Sequence, residues 1–292
     1  MRQSEGVLAL LLHMNTIIPS LRGCRFSCPC GTIEKLLWAE RSGLSDEEGQ
    51  REYLEFPMTD ASQPVDFDTR PPMPVSEYEA TVKRANVGYD LVFTLALCFL
   101  RALRRPALEL LVVGAGGGAE IERFLPGNPG WHLTGVDPSR NMLALAEAKV
   151  DRLGLQDRAT LIQGTVQDLP AGADFDAAVC MLVLHFLPDD GKLALLQGIA
   201  SRLRPDAPLL VAAGGRLDDG GLNDDILRAW QVYGELMGMP AGQMADMMAR
   251  LAAQPNGATG EVYVRLLRAA GFKRVTSFFS AMAGGVSAWL AR

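Results

Sequence analysis

The stretch Leu108 to Glu120, LELLVVGAGGGAE, constrains this chain more than any other. Leu110 to Val113 is a continuous apolar run, as expected of a parallel strand covered on both faces. Gly114 to Gly118 follow, and four of these five residues are glycine. A backbone without Cβ atoms can take positive φ and let a ligand lie directly against it. Ala119 to Leu125 then opens a helix, whose first N–H groups have no partner within the helix. Strand, glycine turn and helix in this order predict a nucleotide-type cofactor site at the carboxyl end of a first strand.

The segments on either side supply the alternation that such a site needs. From Val75 onward, Tyr78, Val82, Ala85, Tyr89, Leu91, Leu95 and Phe99 recur mostly at three- and four-residue intervals, which is helical. After the glycine turn, His132 to Val136 forms a short second strand ending in Asp137. Ser139 caps a helix from Arg140 to Leu153. Thr160 to Gln163 is a third strand, closed by Gly164-Thr165, and Phe175 to Val183 a fourth. A helix from Lys192 to Leu203 leads through Arg204-Pro205-Asp206 to a fifth strand, Pro208 to Ala213, with Asp189 and Asp190 expected as its caps. Leu222 to Ala270 is mostly helical and carries Met237, Met239, Met244, Met247 and Met248, flexible side chains that suit a core or a lid. Lys273 to Ser280 and Val286 to Ala291 close the chain as a hairpin. The expected fold is therefore α/β: a Rossmann-like doubly wound sheet of mainly parallel strands, a helical insert, and a C-terminal antiparallel hairpin.

The first 57 residues differ. Val7 to Leu12 is a poor signal core, because Glu5 and His13 flank it. Cys24, Cys28 and Cys30 have a spacing that fits neither zinc knuckles nor the cluster-binding loop of radical enzymes, so no metal is expected and the thiols read as reduced. Cys98 and Cys180 lie among apolar residues and read as core. Residues 1–57 are expected to be a poorly ordered, dispensable extension, with Met58 an alternative start, and residues 58–74, with four prolines, a polar arm. A net charge of −6 argues against a nucleic-acid surface. No apolar run reaches the eighteen or so residues that span a bilayer.

Six ordered pieces resemble the class I S-adenosylmethionine-dependent methyltransferases. VVGAGGG is similar to the family's cofactor loop, TGVDPS to its ribose-binding turn and IQGTVQDLP to its adenine-side loop. FDAAVCMLVLHFLPD, LRPDAPLLVAA and AGFKRVTSFF with GGVSAWLAR resemble its fourth strand, fifth strand and closing hairpin. The likeness covers residues 75–292, about three quarters of the chain. Residues 222–270 would be a helical insert or lid. A weaker similarity points to bacterial relatives of the enzymes around tRNA wobble-uridine modification.

The resemblance implies S-adenosylmethionine as cofactor. Gly114, Ala115 and Gly116 would carry its methionine portion. Asp137, 23 residues after Gly114, would accept both ribose hydroxyls, with Pro138 beside it. Met142, Thr165 and Val166 would meet the adenine, and Met181 would lie at the end of the fourth strand. Two positions depart from the family pattern: Val112 and Thr165 stand where many members carry an acidic residue. Asp168 is a candidate replacement for the second. Methyl transfer requires in-line alignment of the acceptor, and an O–H or N–H acceptor also requires a base. His185 is placed for that role; simple packing is the alternative. Tyr89, Trp230 and Tyr233, with Tyr78, are candidate acceptor-binding residues. The implied partner is a small-molecule acceptor in the cytoplasm, with no membrane partner and homodimer formation allowed. Two other classes also fit the glycine loop: an NAD(P)-dependent oxidoreductase, since Gly114, Gly116, Ala119 and Asp137 satisfy a dinucleotide fingerprint, and a non-catalytic S-adenosylmethionine-binding protein.

Overall fold

The computed structural model describes residues 65–172, 174–215, 223–240, 242–247, 256–282 and 285–292. The expected extension 1–57 with Cys24, Cys28 and Cys30, the first part of the polar arm, and Met248 lie outside them.

Seven strands form one sheet: β1 (Leu108–Val113), β2 (Trp131–Asp137), β3 (Ala159–Gln163), β4 (Ala177–Met181), β5 (Leu209–Gly214), β6 (Val275–Ala281) and β7 (Val286–Ala291). Their order is β3-β2-β1-β4-β5-β7-β6. The first five are parallel, and β7 inserts antiparallel between β5 and β6. The strand order reverses between β1 and β4. At such a switch point adjacent loops diverge to opposite faces and leave a crevice at the carboxyl ends.

Alternation along the strands sends side chains into two cores. Leu108, Leu110 and Val112 face one side, with Tyr89, Val92, Phe93, Ala96 and Leu100 of α2 (Tyr89–Ala102), Ile121 and Phe124 of α3 (Ala119–Phe124), and Leu143, Ala146 and Val150 of α4 (Arg140–Leu153). Leu111 and Val113 face the other, with Leu196 and Ile199 of α5 (Asp189–Ala200). The doubly wound expectation holds, including the antiparallel close.

Several boundaries and placements differ from the sequence reading. The N-terminal helical stretch is two helices, α1 (Tyr78–Ala85) and α2, bent by 89° at Gly88, whose φ is +78°. On α2 the buried stripe is Tyr89, Val92, Phe93, Ala96 and Leu100, so Leu91 and Cys98 face outward. Cys98 is thus exposed and not core, because two residues from Ala96 is the opposite side of a helix; Cys180 is buried as expected. Strand β4 stops at Met181, since Leu182 takes a positive φ of 61° and Leu184–Phe186 forms a 3-10 turn. Helix α5 begins three residues earlier than expected. Its N-cap is Pro188; Asp189 and Asp190 sit in its first turn and do not cap it. Asp189 instead pairs with the fully buried Lys192.

The expected 222–270 insert also divides. Helix α6 (Asn223–Leu236) joins Met239 and Met244 in a satellite cluster around Trp230. Helix α7 (Gly260–Ala269) packs Tyr263 and Leu267 onto the sheet beside Trp289 and Val211, so it belongs to the helical layer and not to a lid. Among the described residues no single helix is long and apolar enough to cross a membrane.

Candidate active site

The glycine loop joins β1 to α3 at the switch point, and hydrogen bonds to β2 fix its path. The N–H groups of Gly114 and Ala115 both donate to the Val136 carbonyl, at 2.9 and 3.0 Å. Gly118 has a φ of +73°, and a Cβ there would come within 3.0 Å of the Ala146 Cα. Glycine at this position is what lets α3 lie so close to α4. Gly116 presents its N–H to the Asp137 carboxylate at 2.9 Å, and a Cβ on Gly116 would meet the Met142 methyl at 3.3 Å.

Asp137 is the buried acid of this edge. One oxygen accepts from Gly116 N–H and the other from Ser139 N–H, each at 2.9 Å. Burial raises its pKa, and these two bonds oppose the rise. An ionised carboxylate has about four acceptor positions, so each oxygen retains a lone pair for an incoming hydroxyl. Ser139 caps α4 through Met142 N–H at 3.1 Å, as its sequence position predicts. The nearby Pro138 is exposed, and Met142 is buried against the loop.

A residue that the sequence reading passed over completes this corner. In the segment 66–70, Asp66 accepts from the N–H groups of Asp68 and Thr69 and so forms a tight turn. That turn presents Asp68 to the start of α4. Its carboxylate accepts from Ser139 Oγ at 2.7 Å, Asn141 N–H at 2.9 Å and Arg140 N–H at 3.0 Å. Those bonds, the Ser139 hydroxyl foremost, hold its pKa below the usual carboxylate range. Beside it Phe67 packs edge-on against both Tyr78 and Phe186. The described part of the polar arm, from residue 65, is therefore docked over the β2 end, as a surface arm and not as a linker. The only local signal was Asp-Phe-Asp-Thr, a turn sequence with one aromatic residue.

Thr165 and Val166 follow β3 in a short 3-10 turn. Thr165 N–H and Oγ both donate to Asp168, at 2.8 and 3.0 Å. Asp168 is thus committed to the turn and does not replace an acid at Thr165. Val166 buries its side chain in the second core, while first-turn N–H groups lack partners within their own helix. Met181 is buried at the end of β4.

His185 lies just beyond β4 in the 3-10 turn, in contact with Phe186. Its Nδ1 accepts a hydrogen bond from Gly214 N–H at 3.1 Å. The ring's own hydrogen then belongs on Nε2, and no lone pair remains for proton abstraction. Burial, aided by the positive charge of Lys192, pushes its pKa down to about 4. The expected base role does not match this geometry: the imidazole ties the β4 turn to the end of β5.

The aromatic candidates separate in the same way. Trp230 donates its indole N–H to the Ala85 carbonyl at 2.7 Å and fastens α6 to α1. Tyr233 packs partly buried against that cluster. Tyr89 lies in the main core, with the Arg123 guanidinium 5.5 Å from its ring centre. Trp230 and Tyr89 therefore serve packing first, and the structure does not gather the three around one space. Tyr78, in contrast, lies within electrostatic reach of Asp137.

Residues 111–209, from β1 to the start of β5, match the family model described as Methyltransferase domain. Residues 111–209 therefore carry a methyltransferase domain. Among solved structures, a protein of Nostoc punctiforme superposes with a TM-score of 0.50 at 21% identity, over 74% of this chain and 61% of that one. The magnesium protoporphyrin IX methyltransferase of Synechocystis, with bound SAH, gives 0.51 at 17% identity over 74% and 92%. These likenesses concern the fold. In sequence, the carboxy-S-adenosyl-L-methionine synthase of Aeromonas salmonicida is 26% identical over 153 residues, 51% of this chain. An uncharacterized protein of Synechococcus sp. is 34% identical over 113 residues, 38% of this chain. The matched segments span 61% and 26% of those relatives' own lengths.

Proposed function

We propose that this protein transfers the methyl group of S-adenosylmethionine to a small-molecule acceptor in the cytoplasm. The observation that carries the cofactor placement is Asp137, whose carboxylate is fixed by the N–H groups of Gly116 and Ser139 with acceptor positions to spare. In this reading Asp137 takes the ribose hydroxyls, Gly114, Ala115 and Gly116 lie along the methionine portion, and Pro138, Met142, Thr165 and Val166 surround the adenine. Met181, buried at the end of β4, would line the same site. Bound there, S-adenosylmethionine would supply an electrophilic methyl group, which the acceptor's lone pair would take in line as the C–S bond electrons return to sulfur. The acceptor's proton passes to water or to the acceptor's own basic group, since His185 has no free lone pair in this geometry. Tyr233 and Tyr78 are the acceptor-side aromatics that packing leaves most available. Residues 1–57 are dispensable to this activity.

Calorimetry with S-adenosylmethionine and SAH, followed by a labelled-methyl screen of small acceptors, tests the reading. Binding of both and labelling of an acceptor support it. Failure to bind either, with binding of NAD(P)H instead, overturns it. Binding without any turnover marks a non-catalytic binding protein. The similarity to a carboxy-S-adenosyl-L-methionine synthase favours one second reading, in which the cofactor itself is modified. Mass spectrometry separates the two, because methyl transfer leaves SAH and the other reaction leaves a cofactor heavier by a carboxyl group.

A further inference from the structure

Three acidic side chains are buried among the described residues: Asp137, Asp176 and Glu120. Asp137 is held by two backbone N–H groups, and Asp176 by Arg105, Arg204 and the Glu109 N–H. Glu120 is only 3% exposed, yet among the described residues no cation lies within ion-pair distance of its carboxyl. The nearby cations are engaged elsewhere. Arg123 pairs with Glu79 and Asp90, and Lys149 with Glu79 and Glu122. A buried carboxyl without a cation is costly, and burial raises its pKa to about 7.

Its position suggests what fills the gap. Glu120 sits in the first turn of α3, two residues beyond Gly118 of the cofactor loop. Tyr89 lies within electrostatic reach of Glu120 and of Tyr78, and Tyr78 of Asp137. Two buried carboxyls thus lie beside the loop: Asp137, bonded to Gly116 N–H, and Glu120, in the helical turn that follows Gly118. Val112, where an acid is common in this family, is apolar and fully buried. We infer that Glu120 binds the ammonium group of the cofactor's methionyl portion and supplies the negative charge that Val112 lacks. This rests on the S-adenosylmethionine reading above.

The test compares SAH, which carries that ammonium, with methylthioadenosine, which keeps the adenosine and lacks the amino-acid portion. In E120Q, SAH affinity measured by calorimetry should fall about tenfold to 100-fold, the range for a hydrogen bond between charged groups. Methylthioadenosine affinity should stay at its wild-type value. Unchanged SAH affinity overturns the inference, and so does an equal loss for both ligands, which would mean that Glu120 only shapes the loop. Wild-type protein that binds neither ligand would instead defeat the cofactor reading itself.

Should E120Q fail to fold, wild-type protein still decides. The groups facing Glu120 are Tyr89 of α2, Glu79 of α1, Arg123 of α3, Lys149 of α4 and Cys180 of β4. Near pH 7, ammonium binding should ionise Glu120 and release protons, seen as a dependence of binding heat on the buffer's ionisation enthalpy. Methylthioadenosine should release fewer. Equal proton release by the two ligands overturns the inference.

Discussion

The two ends of the parallel sheet hold a buried aspartate each, and their surroundings are opposite. At the amino-terminal end Asp176 is clamped between the guanidinium groups of Arg105 and Arg204 and accepts from Glu109 N–H at 3.0 Å. Its charge is neutralised by side chains of the chain itself, and its pKa is lowered despite burial. At the carboxyl-terminal end Asp137 has, among the described residues, two backbone donors and no cation within ion-pair distance, and its pKa is raised. A carboxylate closed by cations joins strands together. One oriented by backbone dipoles with acceptor positions left over is prepared for a ligand.

Asp176→Ala should break that contrast most severely. It leaves two arginines facing each other at the strand bases and should cost roughly 3 kcal/mol of stability, read as a lower urea midpoint. Cofactor affinity in the folded fraction should not change; a matching loss of affinity would show that the two ends are coupled. Asp137→Ala should do the converse. SAH affinity falls about tenfold to 100-fold, while the urea midpoint moves far less. An unaltered affinity would remove the ribose assignment.

Asp68→Ala sharpens the comparison, because Asp68 is the arm's own carboxylate at the mouth of the ligand end. Losing its bonds to Ser139, Arg140 and Asn141 should free the arm and raise the cofactor dissociation rate several-fold in stopped-flow measurements. An unchanged rate would mean that the arm does not cover the site. The smallest effect concerns His185. Its folded pKa of about 4 lies below the ordinary 6.5, so between these values the unfolded chain binds the proton more readily. Stability should therefore be intact above pH 6.5 and decline as pH falls toward 4. His185→Gln should flatten that decline in thermal melts, and identical profiles would place the acid sensitivity elsewhere.

Much of the ligand end was legible in the sequence. LLVV, the glycine run and Asp137 each follow from local rules: two-sided burial, positive φ and the end of a second strand. Ser139 as the α4 cap was equally plain. What escaped was the state of each polar group. His185 was well placed as a base until Gly214, 29 residues away, took its lone pair. Asp68 read as one polar residue of a surface arm until its turn met α4, more than 70 residues on. Glu120 read as an ordinary first-turn acid. Helix α7 read as part of an insert because its period reveals an apolar face without revealing what covers it.

The sequence by itself determined the strand and helix order, the glycine loop at the first crossover and the acid at the end of β2. These depend on hydrophobic period and backbone sterics, which act over a few neighbouring residues. Only the tertiary structure decided that Asp176 is neutralised, that His185 is engaged, that Trp230 anchors α6 to α1 and that Glu120 is buried without an ion-pair partner among the described residues. The satisfaction of a buried polar group depends on which distant donors the packing brings within about 3 Å, and local spacing carries no record of that.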